Sequence, residues 1–264
     1  MNPLFESLVE NSLTMLAAEP GDETAMVLSE AEVQGEGGQA CFRLDLGDKQ
    51  VNLEEVEDLL AFHRLGKIRE LILDKNEFGD EGVERLAAAP ALEGLTSLSL
   101  GFNRLTDRAA FALAGSKSFG GLKKLFFHNN AMGPEGAARL AGSPALPHLQ
   151  ILYLKGNPIG DKGAMALAAS DSLGDLKELY LDRTAIGLKG VLALGESALA
   201  QGLTLLSLGH NGLSDDAAWA LAECPALGGL ITLDLCGNRL SQDACETLRE
   251  SGNLKSLRAL QVDW

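Results

Sequence analysis

A chain of 264 residues with 46% apolar side chains can bury a sizeable core, which excludes wholesale disorder. Its formal net charge of −15 leaves no basic face for phosphate, arguing against nucleic-acid binding. No apolar run is long enough to span a bilayer and the first segment, with Glu6 and Glu10, lacks a basic n-region; a cytoplasmic chain is expected.

The first 40 residues hold eight acids and neither Lys nor Arg, and the first base is Arg43. Solubility of a capping segment is the plain reading; attraction of a basic partner is the sharper one. Asn2-Pro3 is a helix start signal, and Leu4, Phe5, Leu8, Val9, Leu13 and Leu16 share one helical stripe, which predicts a helix over residues 3–17. Residues 25–33 read as a strand that Gly35-Glu36-Gly37-Gly38 turns back toward residues 41–46. Residues 1–40 are therefore expected to be an N-terminal cap made of a helix plus a β-hairpin strand.

From Cys41 onward one pattern recurs every 27 residues without insertion or deletion. Ile68, Leu95, Leu122, Leu149, Leu176, Leu203, Leu230 and Leu257 open successive units, each followed by x-x-Leu-x-apolar. Residues 41–67 are a divergent first unit, because Cys41, Leu44, Leu46, Val51, Leu59 and Leu65 fill the columns of Ile68, Leu71, Leu73, Phe78, Leu86 and Leu92. Eight units and a closing strand thus occupy residues 41–264. A fixed period of this length signals a solenoid whose units bury their apolar faces only against their neighbours.

Within a unit, the opening residues alternate apolar and polar, as a strand does. Position nine is Asn76, Asn103, Asn130, Asn157, Asn211 or Asn238, with Lys49 and Thr184 as exceptions. A stacked column of such amides can stitch adjacent turns together. A helix follows: Thr106, Ser214 and Ser241 suit its N-cap, Asp80, Asp107, Asp161 and Asp215 lie in its first turn, and Pro134 shares their column. Ala110, Ala137, Ala164 and Ala218 let the helix approach the sheet closely. The four cysteines contain no Cys-x-x-Cys pair, so neither a zinc site nor a disulfide framework is indicated; a Cys224–Cys236 contact stays open.

The pattern Leu-x-x-Leu-x-Leu-x-x-Asn-x-Leu with a helical half resembles the leucine-rich-repeat superfamily, and segments such as Gly79-Asp80-Glu81-Gly82 and Gly160-Asp161-Lys162-Gly163 look most like its ribonuclease-inhibitor-like subfamily. The resemblance covers residues 41–264, about 85% of the chain. It implies an α/β solenoid, a curved right-handed βα horseshoe with parallel strands on the concave side and helices on the convex side. It also implies binding to a protein partner. Relatives of this type include nuclease inhibitors, GTPase-activating proteins and ligand-sensing parts of receptors. The unit here is slightly shorter than that subfamily's usual one.

In each strand, positions four and six point inward, so positions three, five and seven face the concave surface. Position five includes Ile72, Phe126, Tyr153 and Tyr180, and the chain has only two tyrosines. Position seven adds His128, Lys155 and Asp182; position eight adds Phe102, Arg183, His210 and Trp264; position three adds Ile151. Such a mixture of aromatic, aliphatic and charged groups suits the centre of a protein interface. The alternative is that the rings only stabilise the sheet. Phe111, Met165, Leu192 and Trp219 form a helix column expected to pack between helices, with a convex partner site as the second option.

Catalysis is not expected: His128 and His210 are three units apart, roughly 15 Å, and Asp74, His128 and Asp182 are too dispersed for a metal. No phosphate-binding glycine loop occurs, and no cofactor is expected. The expected function is a non-catalytic, acidic protein-binding scaffold. Two alternatives are a GTPase-regulating or enzyme-inhibiting repeat protein, working through Lys75, Arg104 and Arg183, and an assembly component self-associating through its helices, Trp219 or the Trp264 edge.

Overall fold

A short run in which every second side chain is a leucine must bury that side and leave the other facing outward, and 27-residue spacing repeats the demand identically. The computed structural model describes residues 2–16 and 41–263. Its strands are β1 (Leu13–Leu16), β2 (Cys41–Asp45), β3 (Ile68–Ile72), β4 (Ser97–Ser99), β5 (Lys124–Phe126), β6 (Ile151–Tyr153), β7 (Glu178–Tyr180), β8 (Leu205–Ser207), β9 (Thr232–Asp234) and β10 (Ala259–Gln261). Helix α1 (Pro3–Asn11) precedes them. The later helices are α2 (Leu53–Leu60), α3 (Gly79–Ala87), α4 (Asp107–Ala114), α5 (Pro134–Ala141), α6 (Gly160–Ala168), α7 (Leu188–Gly195), α8 (Ala198–Gly202), α9 (Asp215–Ala222) and α10 (Gln242–Glu250).

The ten strands form one sheet in simple sequence order. From β3 onward every pairing is parallel and joins residues one period apart, so Leu71, Leu98, Leu125, Leu152, Leu179, Leu206, Leu233 and Leu260 run across the sheet as one row. The β2–β3 pairing slips between Phe42 and Arg43, where the divergent first unit enters. From β2 to β9 the leucines at position four, together with those at position six, are sealed between sheet and helices, and Leu260 on the last strand is half-buried. Strands sit about 4.8 Å apart whereas packed helices need about 8–10 Å, so the sheet lies inside the curve. Small residues keep the helix row tight: a Cβ on Gly163 would meet that of Ala137 at 3.2 Å, and one on Gly190 would meet Ala164 at 2.9 Å. This is an α/β leucine-rich-repeat solenoid.

Two side-chain ladders lock each unit to the next. In the first, a position-nine asparagine bonds both its own turn and the preceding unit. Asn130 Nδ2 donates to Leu100 O at 2.9 Å and Phe127 O at 3.1 Å, while its Oδ1 accepts from Asn103 N at 2.9 Å and Leu105 N at 3.0 Å. Asn76, Asn103, Asn211 and Asn238 repeat the scheme. Thr184 breaks it: its hydroxyl reaches only Leu181 O and Asn211 Oδ1, and the Ile159 amide turns to Asn157 O instead. In the second ladder, an aspartate at position thirteen caps the next unit's helix. Asp80 accepts from Thr106 N, Asp107 from Gly133 N and Gly136 N, Asp161 from Gly187 N and Gly190 N, and Asp215 from Ser241 N. The first-turn acids therefore act mainly between units, beyond the dipole effect expected of them.

Three local expectations need correction. The N-terminal helix ends at Asn11, and Leu13–Leu16 pairs antiparallel with β2, Leu13 opposite Leu44. Covering the open edge of β2 satisfies a row of backbone groups that a longer helix would leave bare. Leu4, counted on the buried stripe, is 82% exposed, while Phe5 and Val9 do the packing. Ser214 occupies the N-cap of α9 yet accepts no capping hydrogen bond, whereas Thr106 and Ser241 do cap their helices. The expected strand at residues 25–33 and Trp264 lie outside the described residues.

Leu152, fully buried in the central strand, tests the facing of the columns. Leu152→Ala should cost about 2–5 kcal/mol through the cavity it opens, read as a lowered midpoint in urea unfolding. An unchanged midpoint would mean that position four faces outward.

Candidate functional site

The parallel register aligns the position-five side chains directly, Phe126 beside Tyr153 and Tyr153 beside Tyr180. The sheet spacing then brings their rings edge to face, with centroids 6.0 Å apart for Phe126–Tyr153 and 4.6 Å for Tyr153–Tyr180. Such T-shaped pairs match the ring quadrupoles better than flat stacking does. His128, from position seven, joins the row 5.2 Å from Tyr153 and 5.2 Å from Phe102. The result is a continuous line of rings, Phe102–His128–Tyr153–Tyr180, with Phe126 beside it. Lys75 Nζ lies 5.9 Å from the Phe102 ring centre, in cation–π range.

Charge surrounds these rings. Tyr180 donates its hydroxyl to Glu178 Oε2 at 2.8 Å. Burial raises the Tyr180 phenol well above its ordinary value, and the bond to Glu178 adds to this. Tyr153 is raised too, first by burial and then by Asp182. Both phenols are neutral at physiological pH. His128 is pushed below its ordinary value by burial; Asp74 pulls the other way and Lys155 reinforces the depression. Its Nδ1 is buried without a hydrogen-bond partner. The imidazole fits only because Gly101 has no Cβ, which would collide with the ring. Asp74 instead accepts from Ser99 Oγ at 2.7 Å and Gly101 N at 2.6 Å.

Position eight obeys a different rule. The turn into the asparagine ladder places it in the left-handed region in every unit: Asp48, Lys75, Phe102, Asn129, Gly156, Arg183, His210 and Gly237. A non-glycine residue there costs about 1 kcal/mol or more. Glycine would relieve that cost, yet most units carry a large side chain at this rim.

Of the residues singled out from sequence, Phe102, Phe126, His128, Tyr153 and Tyr180 come together. Ile72 is separated from Phe126 by the strand bearing Ser99, and Ile151 and Lys155 flank Tyr153 half-buried on the same strand edge. Asp182 is less available than its column suggests, being 6% exposed with Oδ1 tucked over Gly209. Arg183 stays exposed. His210 is apart from the ring row, folded over Gly237. Glu178 and Lys75 belong to the site through Tyr180 and Phe102, by a phenol hydrogen bond and a cation–π approach that depend on where the rings lie.

The convex column corrects the sequence reading. Phe111, Met165, Leu192 and Trp219 do not pack between helices; they are 37–50% exposed. The small residues one and two positions earlier make the interhelical contact, so the next residue, turned about 100° further round the helix, faces outward.

Reactive chemistry is sparse. Cys224, Cys236 and Cys245 are free, which settles the Cys224–Cys236 question. Burial and the Asp234 carboxylate push the Cys236 thiol up to about 11, so it is not a thiolate at neutral pH. Among the described residues no group of three or more His, Cys, Asp or Glu is placed to hold a metal ion. No helix among them is long and apolar enough to cross a membrane.

The leucine-rich-repeat family model matches residues 67–87, 95–114 and 145–168. No curated protein matches the chain. Among solved structures, the leucine-rich-repeat ectodomain of the Arabidopsis receptor kinase HAESA, in complex with an N-terminally extended IDA peptide hormone, is similar at 19% identity and a TM-score of 0.49. The alignment covers 83% of this chain and 34% of that one, so the chain spans about a third of the ectodomain's length.

The depressed imidazole sets a pH dependence. Burial keeps His128 neutral to a lower pH in the folded than in the unfolded chain, so its contribution is full above the ordinary value of 6.5 and is lost as pH falls through the lower folded value. A proton NMR titration should place the His128 midpoint below 6.5. His128→Phe should reduce the loss of stability between about pH 7 and pH 5. A midpoint at or above the ordinary value would contradict the burial.

Proposed function

We propose that this repeat chain is a non-catalytic protein-binding scaffold that takes a protein partner on its concave sheet face. Phe126, Tyr153 and Tyr180 are the anchors, with Phe102, Ile72 and Ile151 extending the apolar area. Lys155 and Arg183 orient the partner, with Asp182 in a supporting place and His210 at the periphery. The observation that carries this reading is the unbroken line of ring contacts from Phe102 to Tyr180 on the sheet face opposite the helices. Hot spots favour rigid aromatic side chains ringed by polar groups. Retention of costly non-glycine residues at position eight supports it further, because strain held at one rim marks a working surface.

The dispersion of titratable groups over the sheet supports the non-catalytic part of the proposal. The helical convex half of each unit favours the ribonuclease-inhibitor-like type of repeat. The free Cys224, Cys236 and Cys245 are in keeping with a reducing, cytoplasmic compartment.

The chain should be used as bait in its native cell extract, and a captured partner remeasured with purified proteins. Tyr153→Ala combined with Tyr180→Ala should weaken that complex by about 2 kcal/mol or more. The melting temperature should fall far less than in Leu152→Ala. A partner held with undiminished affinity would remove the concave rings from the binding surface.

A further inference from the structure

The convex side carries a feature that concave binding does not use. Helices α7 and α9 border a groove of about 760 Å³ lined by Leu188, Leu192, Trp219, Glu196, Asp216 and Glu223 among others. Gly195 and Cys224 are its buried members; a Cβ on Gly195 would come within 2.5 Å of Cys224 Sγ, so helix and turn meet closely beneath it. Leu188, Leu192 and Trp219 are all exposed large hydrophobics. Leu188 and Leu192 stand four residues apart on α7 and therefore share one helical face.

Leu188 is the informative member. It occupies position thirteen, where Asp80, Asp107, Asp161 and Asp215 each cap the helix of the following unit. The chain gives up that bond in this unit, and the following N-cap, Ser214, accepts no capping hydrogen bond of its own. A structural contact has been exchanged for a solvent-facing leucine. The aspartate is also missing at Leu53, Pro134 and Gln242, but only Leu188 puts an exposed large apolar side chain in its place, which points to use of the surface.

The electrostatics select the occupant. No lysine or arginine is among the lining residues, and none occurs in the sequence between Lys189 and Arg239. Three carboxylates and no base therefore line the apolar trough, with Lys189 next to Leu188 but outside the lining. The exposed apolar column continues beyond the trough to Met165 and Phe111, and its ends carry Glu84 and Glu246. Adjacent helices are about 8–10 Å apart, so this track suits an extended or helical segment better than a compact small molecule. A second copy of this chain would press acid rim against acid rim, and an anionic membrane would be repelled likewise.

We infer that the α7–α9 groove docks a basic amphipathic segment of a protein partner, whose large apolar side chain seats against Leu188, Leu192 and Trp219 while flanking Lys or Arg residues meet Glu196, Asp216 and Glu223. This site is independent of the concave face, so either reading can fail alone.

A synthetic amphipathic Leu/Lys peptide of roughly 14 residues, about four helical turns, is the probe, with a Leu/Glu peptide of the same pattern as control. Both are titrated calorimetrically into the full chain at about 50 and 300 mM salt, where screening differs strongly. The Leu/Lys peptide should bind, more weakly at high salt. Trp219→Ala and the pair Glu196→Lys with Glu223→Lys should each reduce its affinity about tenfold or more with an unchanged melting temperature. Tyr153→Ala with Tyr180→Ala should leave it unaltered, and the Leu/Glu peptide should not bind. No binding by the wild-type chain would overturn the proposal. Equal affinity for Trp219→Ala, comparable Leu/Glu binding, or a loss confined to the concave variant would do the same. So would a dimer in sedimentation that Trp219→Ala dissociates, since that assigns the groove to a second copy.

Discussion

The hydrogen bonding of the position-nine asparagine amide, present in six of the eight units, holds the architecture together. Every turn that leaves a strand of this solenoid exposes carbonyls and amides that the short strands cannot satisfy. The asparagine at position nine satisfies them from within, donating to carbonyls of its own and the preceding unit and accepting amides across the boundary. An unpaired buried polar group costs about 1–3 kcal/mol, so a change in unit length would break several such bonds at once. The constant period is thus a geometric requirement of the turn. It carries the leucine row, the strand register and the left-handed residue at position eight with it.

Once each unit is locked to the next, the remaining columns are released from structural duty, and they differ in what they carry. Positions five, seven and eight bring rings and charges to the sheet face. Positions thirteen and seventeen set the outer face, where aspartates bind neighbouring units except at Leu53, Pro134, Leu188 and Gln242. Departures from the repeat are therefore informative. Thr184 interrupts the amide ladder one unit after the tyrosine pair begins, and Leu188 interrupts the aspartate ladder a few residues later. Both irregularities fall in the unit that contains Tyr180 and α7, where the concave ring row ends and the convex groove starts.

Much of this was legible in the letters. The period, the inward leucines, the outward Phe126, Tyr153 and Tyr180, and the stitching role of asparagine all follow from spacing and elementary chemistry. The strand at Leu13–Leu16 was not, because its apolar residues fit a helical stripe equally well and only the open edge of β2 decides between them. The exposure of Trp219 and Leu192 was missed because it depends on which small residues form the helix contact, a matter of rotation by one residue. The burial of Asp182 escaped for a similar reason: Gly209 leaves room for it on the adjacent strand. The groove had a signal in plain view, the absence of any base between Lys189 and Arg239, but charge alone does not reveal an apolar trough.

The central claim is that asparagine side chains hold the unit boundaries shut, and amide hydrogen exchange tests it most directly. Leu105 N, Met132 N and Leu213 N donate to an asparagine of the next unit, at 3.0, 3.1 and 3.0 Å. These loop amides should exchange only through large-scale opening, as slowly as core strand amides, and Asn130→Ala should release Leu105 selectively. Exchange of Leu105 and Leu213 as fast as an exposed loop amide would contradict the account and leave the register to leucine packing alone.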